Sequence, residues 1–281
     1  MSRQAYRLGL TGYPLEVSLS PRLHQAALRA CGLEGEYRLY PILPDTAGIM
    51  GLRELLECVR RGEVDGLNVT IPHKQSVLRL LDEVSETARA IGAVNTIYAR
   101  GQVLVGENTD AAGFLSDLRR RRQQARPGTA LVLGAGGAAR AVVYALERGG
   151  WQVSVAARRA EQAEEVRRAI SDNVTGLALE AGAVRRLVEE GRVELIVNAT
   201  PLGMGKRAGE SAWPAGVRLP GMALVYDLVY NPPETELMQA AREAGLPASN
   251  GLGMLIDQAM LAFRLWTGCE PEREALERAV E

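Results

Sequence analysis

The segment LVLGAGGAAR, residues 131–140, constrains the fold more than any other stretch of this chain. A short apolar run fit for a buried strand stops at Gly134, and the alanine-rich AARAVVYALERGG that follows Gly136 and Gly137 has the composition of a helix. Glycines at such a turn let the backbone come close to a pyrophosphate, whose charge is met by free amides and the helix dipole. Gly134, Ala135, Gly136, Gly137 and Ala138 are therefore candidate cofactor-binding positions; Ala139 holds the third fingerprint place, where alanine is tolerated. A glycine fingerprint alone is weak. Here it sits between a strand and a helix, and a second strand, VSVAARR, follows. An NAD site places Asp or Glu at the end of that strand, whereas this one ends in Arg158 and Arg159, which suit a 2′-phosphate and so favour NADP over NAD. The plainer alternative, two solvated arginines, leaves the missing acidic residue unexplained.

Strand and helix signals alternate on both sides of this motif, the mark of an α/β layer structure with mostly parallel sheets. Before it come YRLGL, PRLHQAALRACG, EYRLYPI, IMGLRELLECVRRG and GLNVTI, then a helix expected after His73 with Val77, Leu80, Leu81 and Val84 as its apolar stripe. VNTIYARGQVLVGENTD reads as two strands around an Arg-Gly turn. After Pro127-Gly128 the second α/β series continues through GLALEA, VELIVNAT and ALVYDLV. NGLGMLIDQAMLAFRLWTG is a long helix, apolar nearly all round and expected to be buried. Two α/β units are expected, one in the first 110 residues and a second, Rossmann-type one after Pro127-Gly128.

With 281 residues, 47% hydrophobic and 24% charged, the chain has the balance of a globular protein. A net charge of −1 gives no general attraction to nucleic acid or an acidic membrane. The one basic block, Arg119 to Arg122, reads as a solvated helix end running into the loop 123–128. Cys31, Cys58 and Cys269 are odd in number, far apart and never in a CxxC pair, so neither a disulfide framework nor a zinc site is expected, and a reducing cytosol fits. The start has no apolar leader region and nowhere is there an uncharged apolar run of membrane-spanning length, so a cytoplasmic protein is expected.

Among 33 basic residues only Lys74 and Lys206 are lysines. Arginine stays charged at any working pH, while lysine can give up and take back a proton. Lys74, in NVTIPHKQSV, falls in the first turn of the expected helix, where a cation opposes the dipole by about 0.3–1 kcal/mol, so structure alone explains it poorly. Ser18, Ser20, Asn68, Thr70, Asn95 and Asp110 also lie at strand ends or helix entrances, where ligands bind in open α/β sheets. Ser20 has a structural explanation as an N-cap before Pro21, Asp110 has one as a cap of TDAAGFLSDL, and Ser18 has none. Gln258 is a polar amide in the apolar stripe of Met254, Leu261 and Leu265 and needs partners, which a substrate hydroxyl or a buried water would provide.

Eight motifs, SLSP, NVTIPHK, GAVNT, GENTD, GAGGAAR, VNATPLGM, YDLVY and NGLGMLIDQA, stand in the order and spacing of bacterial-type shikimate dehydrogenases. The chain resembles that family from near residue 6 to near 268. The resemblance implies two domains, 1–110 with 251–281 as an α/β substrate domain and 111–250 as a Rossmann-type NADP domain, with a cleft between. It implies NADP-dependent interconversion of 3-dehydroshikimate and shikimate, with Lys74 and Asp110 as the catalytic pair and no metal. It implies that Ser18 and Ser20 hold the substrate carboxylate with Tyr230 near it, and that Asn68, Thr70, Asn95 and Gln258 contact ring hydroxyls or the catalytic groups. Leu228, Gly251 and Met254 match positions around the nicotinamide, Thr200 of VNATPLGM goes with the cofactor, and Glu86 matches an acidic residue on the cofactor side. Where many NADP-using members read Asn-Arg-Thr with a further arginine soon after, this chain has Ala157-Arg158-Arg159 and Gln162, so Arg159 is expected to replace a lost phosphate contact. Two alternatives are a quinate/shikimate dehydrogenase of broader specificity, against which Ser20 speaks because threonine there often goes with quinate, and a non-catalytic NADP-binding sensor. Monomer and homodimer are both compatible with the sequence.

Overall fold

The computed structural model describes residues 5–122 and 126–281, which form two units, Met1–Gly113 with Leu255–Glu281 and Phe114–Met254. The expected loop after Arg122 includes residues 123–125, which lie outside the described residues.

The first unit opens with β1 (Tyr6–Gly12), α1 (Ser20–Ala30), β2 (Gly35–Pro41), α2 (Thr46–Arg60) and β3 (Gly66–Val69). It continues with β4 (Glu83–Val84), α3 (Glu86–Ile91), β5 (Thr96–Arg100) and β6 (Val103–Glu107). The strands lie in the order β2-β1-β3-β5-β6-β4. β1 pairs parallel with β2 and β3, and β4 with β6, while β5 runs antiparallel to both its neighbours. Gly101, at φ +64°, makes the tight β5–β6 turn that only a residue without Cβ adopts at no cost. Leu52, Leu56 and Val59 of α2 pack on Leu67, Val77, Ile97 and Leu104 to form the core on one face.

The second unit contains β7 (Thr129–Leu133), α5 (Gly137–Arg148), β8 (Gln152–Ala157), α6 (Ala160–Ile170), β9 (Thr175–Ala178) and α7 (Ala181–Glu190). Then come β10 (Val193–Asn198), β11 (Leu224–Asp227), α8 (Glu236–Glu243) and β12 (Ala248–Ser249). Every strand pair is parallel, in the order β12-β11-β10-β7-β8-β9. Counted from β7 this is 6-5-4-1-2-3, the order of a dinucleotide-binding Rossmann sheet. α4 (Asp110–Arg121) and α9 (Leu252–Thr267) each contain a boundary between the units, and α10 (Arg273–Val280) ends the chain. Arg120 and Arg121 at the end of α4 pair with the buried Asp117, and Arg122 lies over the Trp151 ring with its centre 4.8 Å from the ring centroid. Arg119, Arg120 and Arg121 are exposed, as expected of a solvated helix end, and only Arg122 is half-buried. Among the described residues no helix is long and apolar enough to cross a membrane.

Two expectations are overturned. Lys74 lies in a turn, and the helix expected after His73 is a 3-10 segment of five residues, Ser76–Leu80, followed by β4. The Lys74 carbonyl accepts from Val94 N–H at 2.8 Å, and that bond to another segment takes the acceptor a helix would need. Val77 and Val84 fell on one apolar stripe because a tight turn and a strand bury the same side. Cys31 and Cys269 form a disulfide, their Cα atoms 6.4 Å apart across a sequence separation of 238. α1 ends at Ala30 and α9 at Thr267, so the fold brings together two cysteines whose spacing in the chain carried no hint of it. α10, absent from the sequence reading, packs against α1.

His24 of α1 is fully buried, stacked on Tyr37 with ring centroids 4.4 Å apart and planes within 3°. Burial lowers its pKa from 6.5 to about 3, with the Asn68 amide acting the other way, although neither ring nitrogen has a hydrogen-bond partner of ordinary geometry. The unfolded chain therefore takes up this proton first as pH falls. His24's contribution is whole above pH 6.5 and is lost between 6.5 and about 3, at about 1.4 kcal/mol per pH unit. His24→Phe should flatten the decline in urea-unfolding free energy measured at pH 7, 5 and 4. An unchanged slope would mean that the imidazole is protonated in the folded protein.

Candidate active site

In the first unit the site is built where β3 ends. His73, 2% exposed, sets its Nε2 2.7 Å from the Ile42 carbonyl, which pins the turn that carries Lys74. Lys74 Nζ donates to Asp110 Oδ2 at 2.5 Å, with side-chain exposures of 13% and 5%. Asn95 Nδ2 donates to the other oxygen, Asp110 Oδ1, at 2.8 Å and to Thr109 Oγ1 at 2.9 Å. Asn95 Oδ1 accepts from Thr109 N–H at 2.8 Å and from Thr96 Oγ1 at 3.0 Å. Both carboxylate oxygens are thus held, one by a cation and one by an amide, an arrangement able to pass a proton from the ammonium without losing its geometry.

Asp110 does not cap its helix. Asn108 Oδ1 does so instead, accepting from Ala111 N–H at 3.2 Å, which leaves the aspartate to Lys74. The N-cap expected at Ser20 is not formed either, since Leu19 holds the cap position. Ser20 is the first residue of α1 and makes no capping bond, while Ser18 Oγ accepts from Ser20 N–H at 3.3 Å. Thr70 stands directly after β3, half-buried, its N–H donated to the Thr11 carbonyl. Gln258 finds its partners within the protein: Nε2 donates to the Leu255 carbonyl at 2.8 Å and Oε1 is 3.4 Å from Asn95 Nδ2. Glu86 begins α3, exposed, with Ser85 as the cap.

In the second unit Gly134 has φ +113°, and a Cβ there would lie 3.0 Å from the Ala199 carbonyl. The loop can pass this close to the end of β10 only as glycine. Gly136 caps α5 with open space on its Cβ side; Ala135, Gly137 and Ala138 are half-buried around it. α5 thus begins at an exposed glycine at the point where the strand order reverses, where a helix N-terminus suits an anion. Arg158 and Arg159 follow β8, both exposed and without an ion pair to any described residue. These groups fit the pyrophosphate and the 2′-phosphate of NADP. Thr200 donates its hydroxyl to Asn198 Oδ1 at 2.7 Å. Gly251 meets the backbone at Leu228, where a Cβ would come within 2.2 Å of the Leu228 carbonyl; Met254 is buried and Tyr230 half-buried.

Sequence reasoning missed the buried groups that brace these residues. Thr96, Thr109 and Tyr37 support the first site. Asp227 supports the second, accepting from Asn198 Nδ2 at 2.9 Å and Thr235 Oγ1 at 2.7 Å. Burial raises the Asp227 pKa, and those bonds, with one from Val229 N–H, work against the rise. The adjacent polar pairs Asn95-Thr96 and Thr109-Asp110 carried a signal; Tyr37 carried none.

A Rossmann sheet with a glycine turn at its reversal point, joined to a second α/β unit holding a buried Lys–Asp pair, defines the class of dinucleotide-dependent α/β oxidoreductases. Residues 10–97 match the family described as shikimate dehydrogenase substrate binding domain, and residues 251–281 the shikimate 5'-dehydrogenase C-terminal domain. The shikimate dehydrogenase (NADP(+)) of Salinibacter ruber is 44% identical over 269 residues, covering 92% of this chain and 90% of that protein. The crystal structure of shikimate 5-dehydrogenase from Thermus thermophilus, in complex with NADP(H) and shikimate, is 38% identical with a TM-score of 0.84, covering 98% of both chains. Quinate dehydrogenase from Corynebacterium glutamicum, in complex with NAD, is 36% identical with a TM-score of 0.86, again over 98% of both chains. This chain belongs to the shikimate dehydrogenase family.

Proposed function

We infer that the protein catalyses the NADP-dependent, reversible reduction of 3-dehydroshikimate to shikimate. The observation that carries this is the Lys74–Asp110 pair braced by Asn95, within a chain akin to shikimate dehydrogenases over almost its whole length. Bound NADPH supplies the hydride that reaches the ring carbonyl carbon. Lys74 gives the proton that the carbonyl oxygen must gain, and its charge stabilises the negative charge growing there. In the reverse direction Lys74 takes the hydroxyl proton, with Asp110 holding the amine in place.

Ser20 and Thr70, whose hydroxyls are not engaged by any described protein group, are assigned to the substrate, Ser20 with Ser18 and Tyr230 at the carboxylate and Thr70 at the ring. Asn68, Asn95 and Gln258 have their amides taken by protein groups, which favours their acting on the catalytic pair. Arg158 and Arg159 hold the 2′-phosphate; the glycine turn, from Gly134 to Ala138, with Thr200 holds the rest of the dinucleotide, and Leu228, Gly251, Met254 and Glu86 stay with the nicotinamide side. The substrate part is placed in 1–110 with 251–281 and the NADP part in 111–250. With a disulfide present, cytoplasmic placement rests on the biosynthetic role and no longer on cysteine usage.

The similarity to a quinate dehydrogenase keeps broader specificity as the second reading. One assay separates them: shikimate and quinate, each with NADP and NAD, followed by reduced-nicotinamide absorbance. The highest kcat/KM is expected for shikimate with NADP, and Arg158→Ala with Arg159→Ala should raise KM for NADP about tenfold or more while leaving that for NAD nearly unchanged. Equal effects on both cofactors would remove the arginines from the phosphate site, and equal or faster turnover of quinate would favour the broader enzyme.

A further inference from the structure

A chain of hydrogen bonds runs from the edge strand β2 to the Lys74–Asp110 pair, and each step in it has one direction. Tyr37 of β2 donates its hydroxyl to Asn68 Oδ1 at 2.8 Å. Asn68 gives its two N–H bonds to the Asn95 carbonyl at 3.1 Å and to Thr96 Oγ1 at 3.3 Å. Thr96 has one hydroxyl proton, and it faces Asn95 Oδ1 at 3.0 Å. Asn95 then donates to Asp110 Oδ1, and Asp110 Oδ2 receives Lys74 Nζ. A carbonyl and a carboxylate can only accept, so the orientation of both amides follows from the ends of the chain. Asn68, Asn95, Thr96 and Asp110 are each 5% exposed or less, an environment in which every bond polarises the next.

The reach of Tyr37 is unusual. β1 lies between β2 and β3, with Leu8 beside Tyr37 and Leu10 beside Asn68, so the phenol passes over an intervening strand to meet the asparagine. Stacking on His24 would be served as well by phenylalanine; the hydroxyl is explained by the bond it makes. We propose that Tyr37 is a positioning residue: its hydroxyl, its ring held by stacked His24, locks the Asn68 amide and so orients, through Thr96 and Asn95, the Asp110 carboxylate against Lys74.

The inference rests on the function proposed above, and the test is arranged so that the two can fail separately. Because Lys74 and Lys206 are the only lysines, protein grown on lysine labelled with carbon-13 at the ε position gives two signals, and exposed Lys206 serves as the internal control. Tyr37→Phe should move the Lys74 signal and leave that of Lys206 in place. It should lower kcat about 3- to 10-fold, the equivalent of one neutral hydrogen bond, with KM for shikimate changed less than about twofold. Thr96→Val should do the same, Thr96→Ser should restore kcat, and Tyr37→Phe with Thr96→Val should be no worse than either alone, since both cut one chain. An unmoved Lys74 signal, or losses that multiply in the double variant, would overturn the relay. A Lys74 signal moved in Tyr37→Phe, together with a wild-type protein that turns over neither shikimate nor quinate, would sink the proposed function and leave the relay standing.

Discussion

In Lys74→Ala, kcat for shikimate oxidation falls by about 10²–10⁴-fold while KM for shikimate moves by less than about tenfold. The asymmetry follows from where the ammonium stands. It is bonded to a carboxylate that is itself held by an amide, and in the proposed function the reacting oxygen falls to Lys74 while the serines and Thr70 are the handles on the substrate. Lys74→Arg separates two roles that Lys74→Ala removes together: a guanidinium keeps the positive charge but does not yield its proton. A loss in Lys74→Arg close to that in Lys74→Ala marks proton transfer as the dominant contribution, and a much smaller loss marks electrostatic stabilisation. Truncation leaves Asp110 buried without its cation, so a thermal melt on each variant is needed beside the steady-state rates. Near-normal turnover in Lys74→Ala, with shikimate and NADP, would remove the residue from the chemistry.

Lys74 was found in the sequence for a reason the structure replaces. Its scarcity and its place after a strand were visible, but the expected helix was not there; the turn is fixed by His73 reaching the Ile42 carbonyl and by Val94 taking the Lys74 carbonyl. Such bonds join segments 20 to 31 residues apart and leave no period in the sequence. The glycine turn was legible because its sequence signal lies within ten residues: an apolar strand, a positive φ at Gly134 and a helix start at Gly137. Strand order is set by which faces meet after collapse, and no local pattern announced that β1 would lie between Tyr37 and Asn68. Ser18 and Ser20 show the limit at its finest: two identical hydroxyls two residues apart, of which only the folded chain decides which one accepts a backbone N–H.

Loss of the Cys31–Cys269 bond lowers the free energy of unfolding by about 2–5 kcal/mol. The first unit takes its helices α9 and α10 from the far end of the chain, after residues 114–254 have formed a unit of their own. An unfolded chain without the bond has its two cysteines free to separate across 238 positions; with it, that loop is already closed. In the chain-entropy account a loop of that size contributes about 5 kcal/mol, and measured bonds give less where the unfolded chain keeps structure. Cys269→Ser and wild type kept in reductant should therefore share a lowered urea midpoint, while Cys58→Ser, which breaks no disulfide, keeps a midpoint near that of wild type. Alkylation of the unreduced, denatured protein should label one thiol, Cys58, and full reduction should label three. Three labelled thiols before reduction, or a midpoint insensitive to reductant, would show that the cysteines stand side by side without joining. The ends of α1 and α9 would then be held by packing, to which His24 on one helix and Phe263 and Trp266 on the other contribute.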